Sequence, residues 1–543
     1  MTTPETPRDH QTPHDRAAEP SPPSPGPTPR TGTSVPDVRP LTRLAPGMCI
    51  PCGGERFVVV DEALAAAFGE GDALHVVQST GALLHIPARV RTAVRDQVDA
   101  ASAAFRDLAS VPSVDVSRFF TLFATLLEEQ WPSIQRANAA DVEDARSRGR
   151  STTRLTLTRS SLEDMVMGLR GWAGRLHGRH SRPHPEVTRV DHDGWTVREV
   201  RAPLGVIGFV FEGRPNVLAD AAGVLASGNT AVLRIGGDAL GTAGAIRDLA
   251  LDPALVRSGL PRGAISIVPV RDRSAGWALF SDPRLSLAVT RGSGRAVEQL
   301  SAVARQAGIP VSAHGTGGAW LVADTTADPR RFELAVRHSL DRKVCNTLNV
   351  AVVVADRAAE LVPVLLRAAD GAAGARKGSS APAFARVHVE SGSTAWVAEA
   401  EFERIVPVVR ADGTHEEPRA SQITEAGLAR EWEWEETPEL SLVVVEDLDR
   451  AISLFNSRSP HFVASLLAED TRAQEHFRAR VDAPFVGDGF TRWVDGQYAL
   501  DQPELGLSNW EHGRLLARGG VLTGADLTTR RLFAHHEDPD QHR

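Results

Sequence analysis

The sequence predicts an α/β protein whose strands form parallel sheets. Between Glu199 and Val354, short apolar runs of strand length alternate with alanine-rich helical runs, which is the order of a parallel sheet covered by helices. A second block of the same character lies between Ser441 and Leu467. At 543 residues the chain is too long for one simple core. We therefore expect two or three packed units.

The first predicted elements differ from this pattern. Residues 1–40 contain eleven prolines and almost no large apolar residue, which predicts a disordered tail. Short β-branched runs between glycine and aspartate turns then predict a small β-rich module: Phe57 to Val60, His75 to Val77, and Leu83 to Ile86. Apolar residues spaced three and four apart predict two amphipathic helices, Val116 to Ala137 and Arg154 to Leu176.

Eight apolar runs are predicted as strands of the parallel sheets. They are Gly205 to Phe211, Thr230 to Arg234, Ala264 to Val268, Leu285 to Thr290, Trp320 to Ala323, Val350 to Val354, Ser441 to Val445 and Phe462 to Leu467. The run Thr290 to Gly294 ends one strand and precedes the helical run Arg295 to Gln306. Its backbone N–H groups and Ser293 are therefore expected to form an anion site at a helix N-terminus, although a generic glycine turn explains the same residues.

Charge and composition exclude several classes of protein. The formal net charge is −9 with both signs interspersed, so no basic face for nucleic acid is expected. The longest apolar runs, such as Pro203 to Phe211, are much shorter than the roughly 18 residues of a membrane span. Three cysteines do not form a disulfide framework, and the start of the chain has no apolar signal core. We predict a cytoplasmic protein without a membrane partner.

Two of the cysteines lie close together near the N-terminus. Cys49 and Cys52 occur in a Cys-Ile-Pro-Cys-Gly run that resembles a zinc knuckle, with His75 and His85 as the only conceivable distant partners. A single pair without a second also fits a plain loop, and no metal site is predicted.

Cys345 is the candidate nucleophile, directly before the strand Val350 to Val354. A lone cysteine at such a place is commonly a small buried apolar residue. The functional alternative is a thiolate whose pKa is lowered by a helix end or by the neighbouring Lys343. Lys343 fits a solvated surface lysine equally well.

Several motifs follow one another along residues Val116 to Phe533. They are Ala137-Asn-Ala-Ala-Asp-Val-Glu-Asp-Ala-Arg146, Ala202-Pro-Leu-Gly-Val-Ile-Gly, Phe211-Glu-Gly-Arg-Pro-Asn216-Val, Ser227-Gly-Asn-Thr-Ala-Val-Leu-Arg234, Thr290-Arg-Gly-Ser-Gly294, Cys345-Asn-Thr and Leu516-Ala-Arg-Gly519. In this order they resemble the gamma-glutamyl phosphate reductase (glutamate-5-semialdehyde dehydrogenase) family, the proline-pathway branch of the aldehyde dehydrogenase superfamily. The resemblance implies an aldehyde dehydrogenase-like fold with two α/β domains and a small oligomerisation extension.

The resemblance also implies a reaction and its residues. Cys345 would attack an acyl phosphate, phosphate would leave, and NADPH would reduce the thioester to an aldehyde. Asn216 and the Cys345 N–H would hold the oxyanion, although an asparagine here also fits a Pro-Asn turn. The cofactor residues implied by the motifs are Arg234, Gly236, Thr290, Gly292, Ser293 and Gly294, and the substrate residues are Arg214, Asn346 and Arg492. Only Lys343 and Lys377 among 60 basic residues are lysines, so Arg234 by itself is weak evidence for a phosphate contact.

The predicted organisation follows from the motifs and the composition together. We expect a tail (1–40), an extra N-terminal β-rich module and linker (41–110), a cofactor-binding domain (111–310), a catalytic domain (311–485), a C-terminal return segment with the oligomerisation element (486–536), and a second tail (537–543). The resemblance further implies a homo-oligomer, and a kinase upstream that makes the acyl phosphate.

Departures from the family pattern bear on the substrate. Hydrolytic aldehyde dehydrogenases carry a glutamate base before the cysteine, whereas Val311 to Gly318 has no carboxylate, which favours a reductive role. His314 in that stretch fits either a base or a turn cap. Four substrate-side stretches also differ from the family: His338 to Lys343, Gly318 to Trp320, Asp488 to Trp493 and Leu505 to Ser508. They predict a different acyl group, with gamma-glutamyl phosphate as the default. The alternatives are an acylating enzyme that uses acyl-CoA, and a catalytically idle NADP-binding paralogue.

Overall fold

The computed structural model describes most of the chain after residue 38. The described residues are 39–150, 152, 154–176, 186–211, 213–292, 294–377, 383–410, 413–494, 504–508, 520–537 and 540. Residues 1–38 of the predicted tail, most of the C-terminal tail, Ser293 and the Leu516 to Gly519 motif lie outside them. The fold below is that of the unit formed by residues 42–543.

The N-terminal part consists of two short antiparallel hairpins followed by long helices. Its elements are β1 (Cys49–Pro51), β2 (Phe57–Val59), α1 (Glu62–Ala67), β3 (Ala73–Val76), β4 (Leu83–Ile86), α2 (Ala88–Leu108), α3 (Ser113–Ser147) and α4 (Arg159–Leu176). The three short runs predicted as strands and both amphipathic helices are confirmed as elements, whereas the module as a unit stays a prediction. Helix α2 was not predicted separately, and its stripe of Val90, Val94 and Val98 packs into the core of the following sheet.

The first parallel sheet has five strands and is preceded by the hairpin β5 (Glu186–His192) and β6 (Trp195–Pro203). Its strands are β7 (Val206–Phe211), β8 (Thr230–Ile235), β9 (Ile265–Ile267), β10 (Leu285–Arg291) and β11 (Val311–His314), in the order β11-β10-β7-β8-β9. The helices between them are α5 (Val217–Ala221), α6 (Leu240–Ile246), α7 (Asp252–Ser258), α8 (Ser274–Phe280) and α9 (Gly294–Gln306).

Alternate residues of the central strand β7 face two different cores. Ile207 and Phe209 pack with α3 and α4, whereas Val206 and Val210 pack with α2, α8 and α9. Helices therefore cover both faces, which explains why the strand reads as a continuous apolar run rather than an alternating one.

The second parallel sheet has seven strands and carries the remaining helices. Its region contains β12 (Ala319–Ala323), α10 (Pro329–Ser339), β13 (Leu348–Val354), α11 (Ala355–Lys377), β14 (Arg386–Glu390), α12 (Glu399–Glu403), β15 (Ile405–Arg410), β16 (Gly413–Pro418), β17 (Ala420–Ile423), β18 (Glu439–Val445), α13 (Leu448–Arg458), β19 (Val463–Leu467), α14 (Thr471–Arg480) and β20 (Phe485–Gly487). The order is β17-β14-β18-β13-β12-β19-β20, all parallel, and β15 and β16 form a separate hairpin.

The end of the chain returns to the first half of the protein. Strands β21 (Glu504–Ser508) and β22 (Gly520–Thr523) pair with each other, and β21 lies against β10 and β11. The last strand, β23 (Thr528–His536), joins β6 and β5 in a three-stranded antiparallel sheet. All eight strands predicted for the parallel sheets are confirmed within a few residues. None of the described helices is long and apolar enough to cross a membrane.

Candidate active site

The candidate site lies where the edges of the two parallel sheets meet. Strands β7, β10 and β11 of the first sheet end here, and β12 and β13 of the second sheet begin here. Cys345 lies in the loop before β13, and the turn Gly315 to Gly318 carries the chain from one sheet to the other. Ligands of open α/β sheets bind outside the carboxyl ends of the strands, so the first sheet offers such an edge to the cysteine.

The loop that carries Cys345 is held by hydroxyl groups. Thr347 Oγ1 donates to the carbonyl of Arg342 (2.6 Å) and accepts from the N–H of Val344 (2.9 Å), which closes the loop around the cysteine. Thr491, from the C-terminal part of the chain, donates to the carbonyl of Asn346 (2.7 Å). Short polar side chains of this kind fix a loop by local bonds to the backbone.

The Gly317-Gly318 turn packs directly on the cysteine backbone. The N–H of Gly318 donates to the carbonyl of Cys345 (2.7 Å), and Gly318 has a φ of +102°. A Cβ added to Gly317 would lie 2.6 Å from the Cys345 carbonyl oxygen and 2.8 Å from its Cα. Only glycine allows this approach without moving backbone.

The thiol of Cys345 is half-buried against Ala319, Phe462 and Val463. Burial has the largest effect and raises the pKa of the thiol. The carboxylates of Glu504 and Glu431 raise this pKa further, whereas Arg291 and Arg214 lower it. The sequence-based hypothesis of a thiol already favoured as thiolate is therefore wrong for the free protein, because desolvation outweighs the two cations.

Arg214 and Arg291 are the cations that face the thiol. Burial lowers the pKa of Arg214 to about 10, and the positive charges of Arg291 and Arg154 add to this effect. Arg214 still carries its proton at neutral pH. Arg291 Nη2 pairs with Glu504 Oε1 (2.6 Å), and both side chains are nearly buried. A desolvated guanidinium beside other cations is stabilised when an anion binds next to it.

Lys343 is neither a solvated lysine nor the cation that acts most on the thiol. Its side chain is 6% exposed, and its Nζ pairs with Glu431 Oε1 at 2.5 Å. The other oxygen of Glu431 accepts the N–H of Gly317 at 2.6 Å. A carboxylate therefore does stand beside the glycine turn, although it comes from a segment far along the chain that carried no recognisable motif.

Asn216 directly precedes α5, at the carboxyl end of β7. It is half-buried, and its side chain does not cap the helix. Arg214, two residues earlier, interacts electrostatically with Cys345, so this loop faces the cysteine. Among the described residues the Cys345 N–H meets no hydrogen-bond acceptor. The role of both groups as oxyanion donors stays a prediction.

The predicted cofactor residues lie at the carboxyl ends of β8 and β10. Helix α9 begins at Gly294, the N–H of Gly292 donates to the carbonyl of His314 (3.2 Å), and the buried Thr290 Oγ1 has no hydrogen-bond partner among the described residues. Gly236 follows β8, and Arg234 Nη2 donates to the carbonyl of Arg271 (3.3 Å). An orphan hydroxyl beside a helix N-terminus suits a bound phosphate group.

Two of the predicted substrate residues bind each other. Arg492 Nη1 donates to the side-chain carbonyl of Asn346, and Arg492 Nε pairs with Asp341 Oδ1 at 2.7 Å. The structure therefore brings both residues to the cysteine loop, while the third, Arg214, faces the thiol from the first sheet. Their contact with a substrate stays a prediction.

The remaining polar candidates lie in two different parts of the fold. His314 is the last residue of β11, is buried, and meets Phe462 edge-on with ring centroids 4.9 Å apart. Cys49 is exposed and Cys52 is buried beside Gly81. In the part of the chain that the structure describes, no group of three or more His, Cys, Asp or Glu side chains is placed to hold a metal ion.

Comparison with known proteins agrees with this architecture. The model of the aldehyde dehydrogenase family matches residues 75–379. The gamma-glutamyl phosphate reductase of Afipia carboxidovorans is 31% identical over 441 residues, which cover 78% of this chain and 91% of that protein. The chain belongs to the aldehyde dehydrogenase family. It is therefore an oxidoreductase that acts on aldehyde or acyl groups with a nicotinamide cofactor.

A further relative and a solved structure each match about four fifths of the chain. The gamma-glutamyl phosphate reductase of Rhizorhabdus wittichii is 31% identical, covering 82% of this chain and 94% of that protein. The crystal structure of gamma-glutamyl phosphate reductase from Thermotoga maritima superposes with a TM-score of 0.67 at 24% identity, covering 83% of this chain and 99% of that one. The predicted aldehyde dehydrogenase-like fold is confirmed.

Proposed function

We propose that the protein reduces an acyl phosphate to the aldehyde and releases inorganic phosphate. Gamma-glutamyl phosphate is the first substrate to test. Two relatives that the chain covers almost fully are named gamma-glutamyl phosphate reductase. The observation that carries the proposal is Arg214 at the thiol, since a desolvated cation beside a second arginine, Arg291, favours a substrate that brings its own negative charge.

The chain's residues account for the covalent steps of this reaction. An anionic phosphate beside Arg214 adds the negative charge that this guanidinium lacks, and it places the acyl carbon next to Cys345. Cys345 first loses its thiol proton to water. The thiolate then attacks that carbon, and the bond to the phosphate oxygen breaks with its electron pair, leaving a thioester on Cys345 and inorganic phosphate. Asn216 and the Cys345 N–H hold the oxyanion of each tetrahedral species. When bound, reduced nicotinamide supplies the hydride that converts the thioester to the aldehyde and frees the thiolate.

Retention of the thioester until reduction also follows from the site. Val311 to Gly318 contains no carboxylate, and Glu431, the carboxylate that does reach the turn, is held by Lys343 and by the Gly317 N–H. A carboxylate bound by two donors is a poor base for water. Hydrolysis to the acid is therefore slow.

We propose NADPH as the preferred reductant. Beyond the end of β8, Asp238 pairs with Arg150 (2.7 Å) and Arg148 (3.2 Å), and Arg271 pairs with Asp144 (3.3 Å). In NAD-binding sheets a free carboxylate near this place holds the ribose hydroxyls, whereas arginine accommodates a 2′-phosphate. With Asp238 occupied by arginines, the surroundings of Arg234 favour the phosphate.

Calorimetry with cofactor fragments tests this choice apart from turnover. The 2′-phosphorylated fragment 2′,5′-ADP is expected to bind more tightly than 5′-AMP, and Arg150→Met or Arg271→Met is expected to reduce that difference about tenfold. Equal affinity for the two fragments in the unaltered protein would contradict the choice of NADPH.

The oligomeric state and the partner enzyme are further parts of the proposal. The three-stranded sheet of β5, β6 and β23 exposes Val187, Val190 and Leu532, which suits burial against a second copy. We expect at least a dimer by sedimentation, and an upstream kinase as the source of the acyl phosphate. The cytoplasmic location stays a prediction.

The reverse reaction tests the function. Purified protein is mixed with glutamate-5-semialdehyde, inorganic phosphate and NADP⁺, and reduced cofactor is followed by absorbance. Phosphate-dependent reduction supports the proposal. Activity only with another aldehyde would show a changed acyl pocket, activity with coenzyme A in place of phosphate would favour the acyl-CoA reaction, and silence across a broad panel would favour an idle paralogue.

A further inference from the structure

We propose that Glu431 and Lys343 form a positioning pair that holds the Cys345 loop and balances the charge that the thiol experiences. The proposal rests on the proposed function only in taking Cys345 as the nucleophile. The pair does not contact the reacting atoms; it acts through the position and the ionisation of Cys345.

Glu431 connects the two backbone segments that enclose the nucleophile. One carboxylate oxygen pairs with Lys343 Nζ (2.5 Å), two residues before Cys345, and the other accepts the N–H of Gly317 (2.6 Å). The side chains of Lys343 and Glu431 are only 6% and 16% exposed. Because the next residue, Gly318, donates to the Cys345 carbonyl, one carboxylate ties the loop to the turn that supports it.

The segment that delivers Glu431 is itself fixed on both sides. Asn349, in β13, donates to the carbonyl of Arg430 (2.8 Å) and accepts the N–H of Trp432 (2.9 Å). The Trp432 ring stacks on His388 with ring centroids 3.5 Å apart, and the Arg430 guanidinium lies 4.3 Å from the centroid of the Trp432 ring. Glu431 is thus presented to the cleft by a rigid support, which is what precise positioning requires.

Charges of both signs act on the thiol. Arg214 and Arg291 favour the thiolate, and Glu504 and Glu431 oppose it. His314 meets Phe462 edge-on, and Phe462 also packs against Cys345. Lys343, which is paired with Glu431, offsets part of the negative charge of Glu431. The two members of the pair should therefore act on the thiol in opposite directions.

The test measures alkylation of Cys345 by iodoacetamide across a range of pH. The full chain is used without substrate or cofactor, and the Cys345 peptide is quantified by mass spectrometry so that Cys49 does not contribute. Glu431→Gln removes a negative charge and leaves Lys343, so the midpoint of the profile should move to lower pH. Lys343→Met leaves Glu431 uncompensated and should move it to higher pH. Each shift should be about half a pH unit or more.

Matched variants separate positioning from general damage. The double variant Lys343→Met/Glu431→Gln removes both charges, so its profile should return towards that of the unaltered protein. Lys343→Arg keeps the charge and should keep the profile. Arg170 and Glu128 pair at the same 2.5 Å on α4 and α3, and Arg170→Met or Glu128→Gln should leave the profile unchanged.

The direction of the midpoint shifts in the two single variants tests the proposal. A purely structural ion pair would move both single variants the same way or neither, and either result overturns the proposal. If Lys343→Met does not fold, Glu431→Gln decides alone: a lower midpoint supports the pair, and an unchanged or higher one overturns it. Opposite shifts in a protein without phosphate-dependent turnover would overturn the proposed function and support the pair. Phosphate-dependent turnover without opposite shifts would overturn the pair and support the proposed function.

Discussion

The two sheet edges that meet at the cleft are built in different ways. The edge of the first sheet consists of backbone turns and small residues that follow directly on strands, such as Gly236 after β8 and Gly292 after β10. The edge of the second sheet holds one reactive side chain whose surroundings come from remote parts of the chain, including Arg291, Glu431 and Glu504. The proposed cofactor edge can thus be encoded in contiguous sequence, whereas the reactivity of the nucleophile depends on the assembled fold.

Removal of the nucleophile should abolish the reaction at the edge of the second sheet. Cys345→Ala is expected to lower turnover by about 10⁴-fold or more, because no other described thiol lies at the cleft. Reverse-reaction rates measure the loss. Cys49→Ala, at an exposed cysteine, is the matched control and should keep full activity; a comparable loss there would indicate that the assay reports damage to the fold.

Removal of the proposed oxyanion donor tests the contribution of the first sheet to catalysis. Asn216→Ala should lower kcat by about 10²–10³-fold with a much smaller change in KM, because the amide stabilises charge that exists only in the tetrahedral species. Asn456→Ala, which removes bonds to the Arg480 carbonyl and from the Asp482 N–H, should leave kcat unchanged. An Asn216→Ala variant with normal kcat and raised KM would assign the amide to ground-state binding instead.

Two glycine substitutions compare the edges directly. In Gly317→Ala the new Cβ meets Cys345 backbone at 2.6 Å, so we expect the free energy of unfolding to fall by about 2 kcal/mol and activity to be largely lost. In Gly294→Ala it meets the Thr316 hydroxyl at 2.5 Å, a side-chain atom that can rotate away, so the effect should be milder.

Gly374→Ala serves as the control for these glycines. It lies inside α11 with nothing within 4 Å of the added Cβ, so stability should rise by about 0.5–1 kcal/mol. Chemical denaturation measures all three variants. Equal losses for Gly317→Ala and Gly294→Ala would show that the second edge is no more constrained than the first.

The smallest expected effect concerns the pH dependence of the thiol. Arg291 lowers the pKa of Cys345 and Glu504 raises it. Because the thiolate is the nucleophile, the acid limb of the kcat/KM profile should move to higher pH in Arg291→Met and to lower pH in Glu504→Gln, with rates at neutral pH changed a few-fold. Limbs that do not move would show that a group other than Cys345 controls this ionisation.

The sequence predicted the elements better than the contacts between them. All eight parallel strands followed from apolar runs bounded by turns, and the position of Cys345 before β13 followed from its motif. The Lys343–Glu431 pair was not predictable, because 88 residues separate its members and no local pattern links them. For the same reason the raised pKa of Cys345 was missed: burial and the distant Glu504 outweigh the cations.

The antiparallel extension was only partly foreseen. An oligomerisation element was expected near the end of the chain, but the pairing of β23 with β6 joins residues more than three hundred positions apart. Hydrophobic periodicity describes each strand alone and does not specify a partner at such a separation.

The most direct test of the account is the covalent state of Cys345 during turnover. The protein is incubated with glutamate-5-semialdehyde and NADP⁺ without phosphate, quenched in acid, digested and analysed by mass spectrometry. We predict an acyl adduct on the Cys345 peptide that disappears when phosphate is added before the quench. Formation of reduced cofactor with no adduct on that peptide, or with an adduct that phosphate does not remove, would contradict the thioester mechanism proposed for this site.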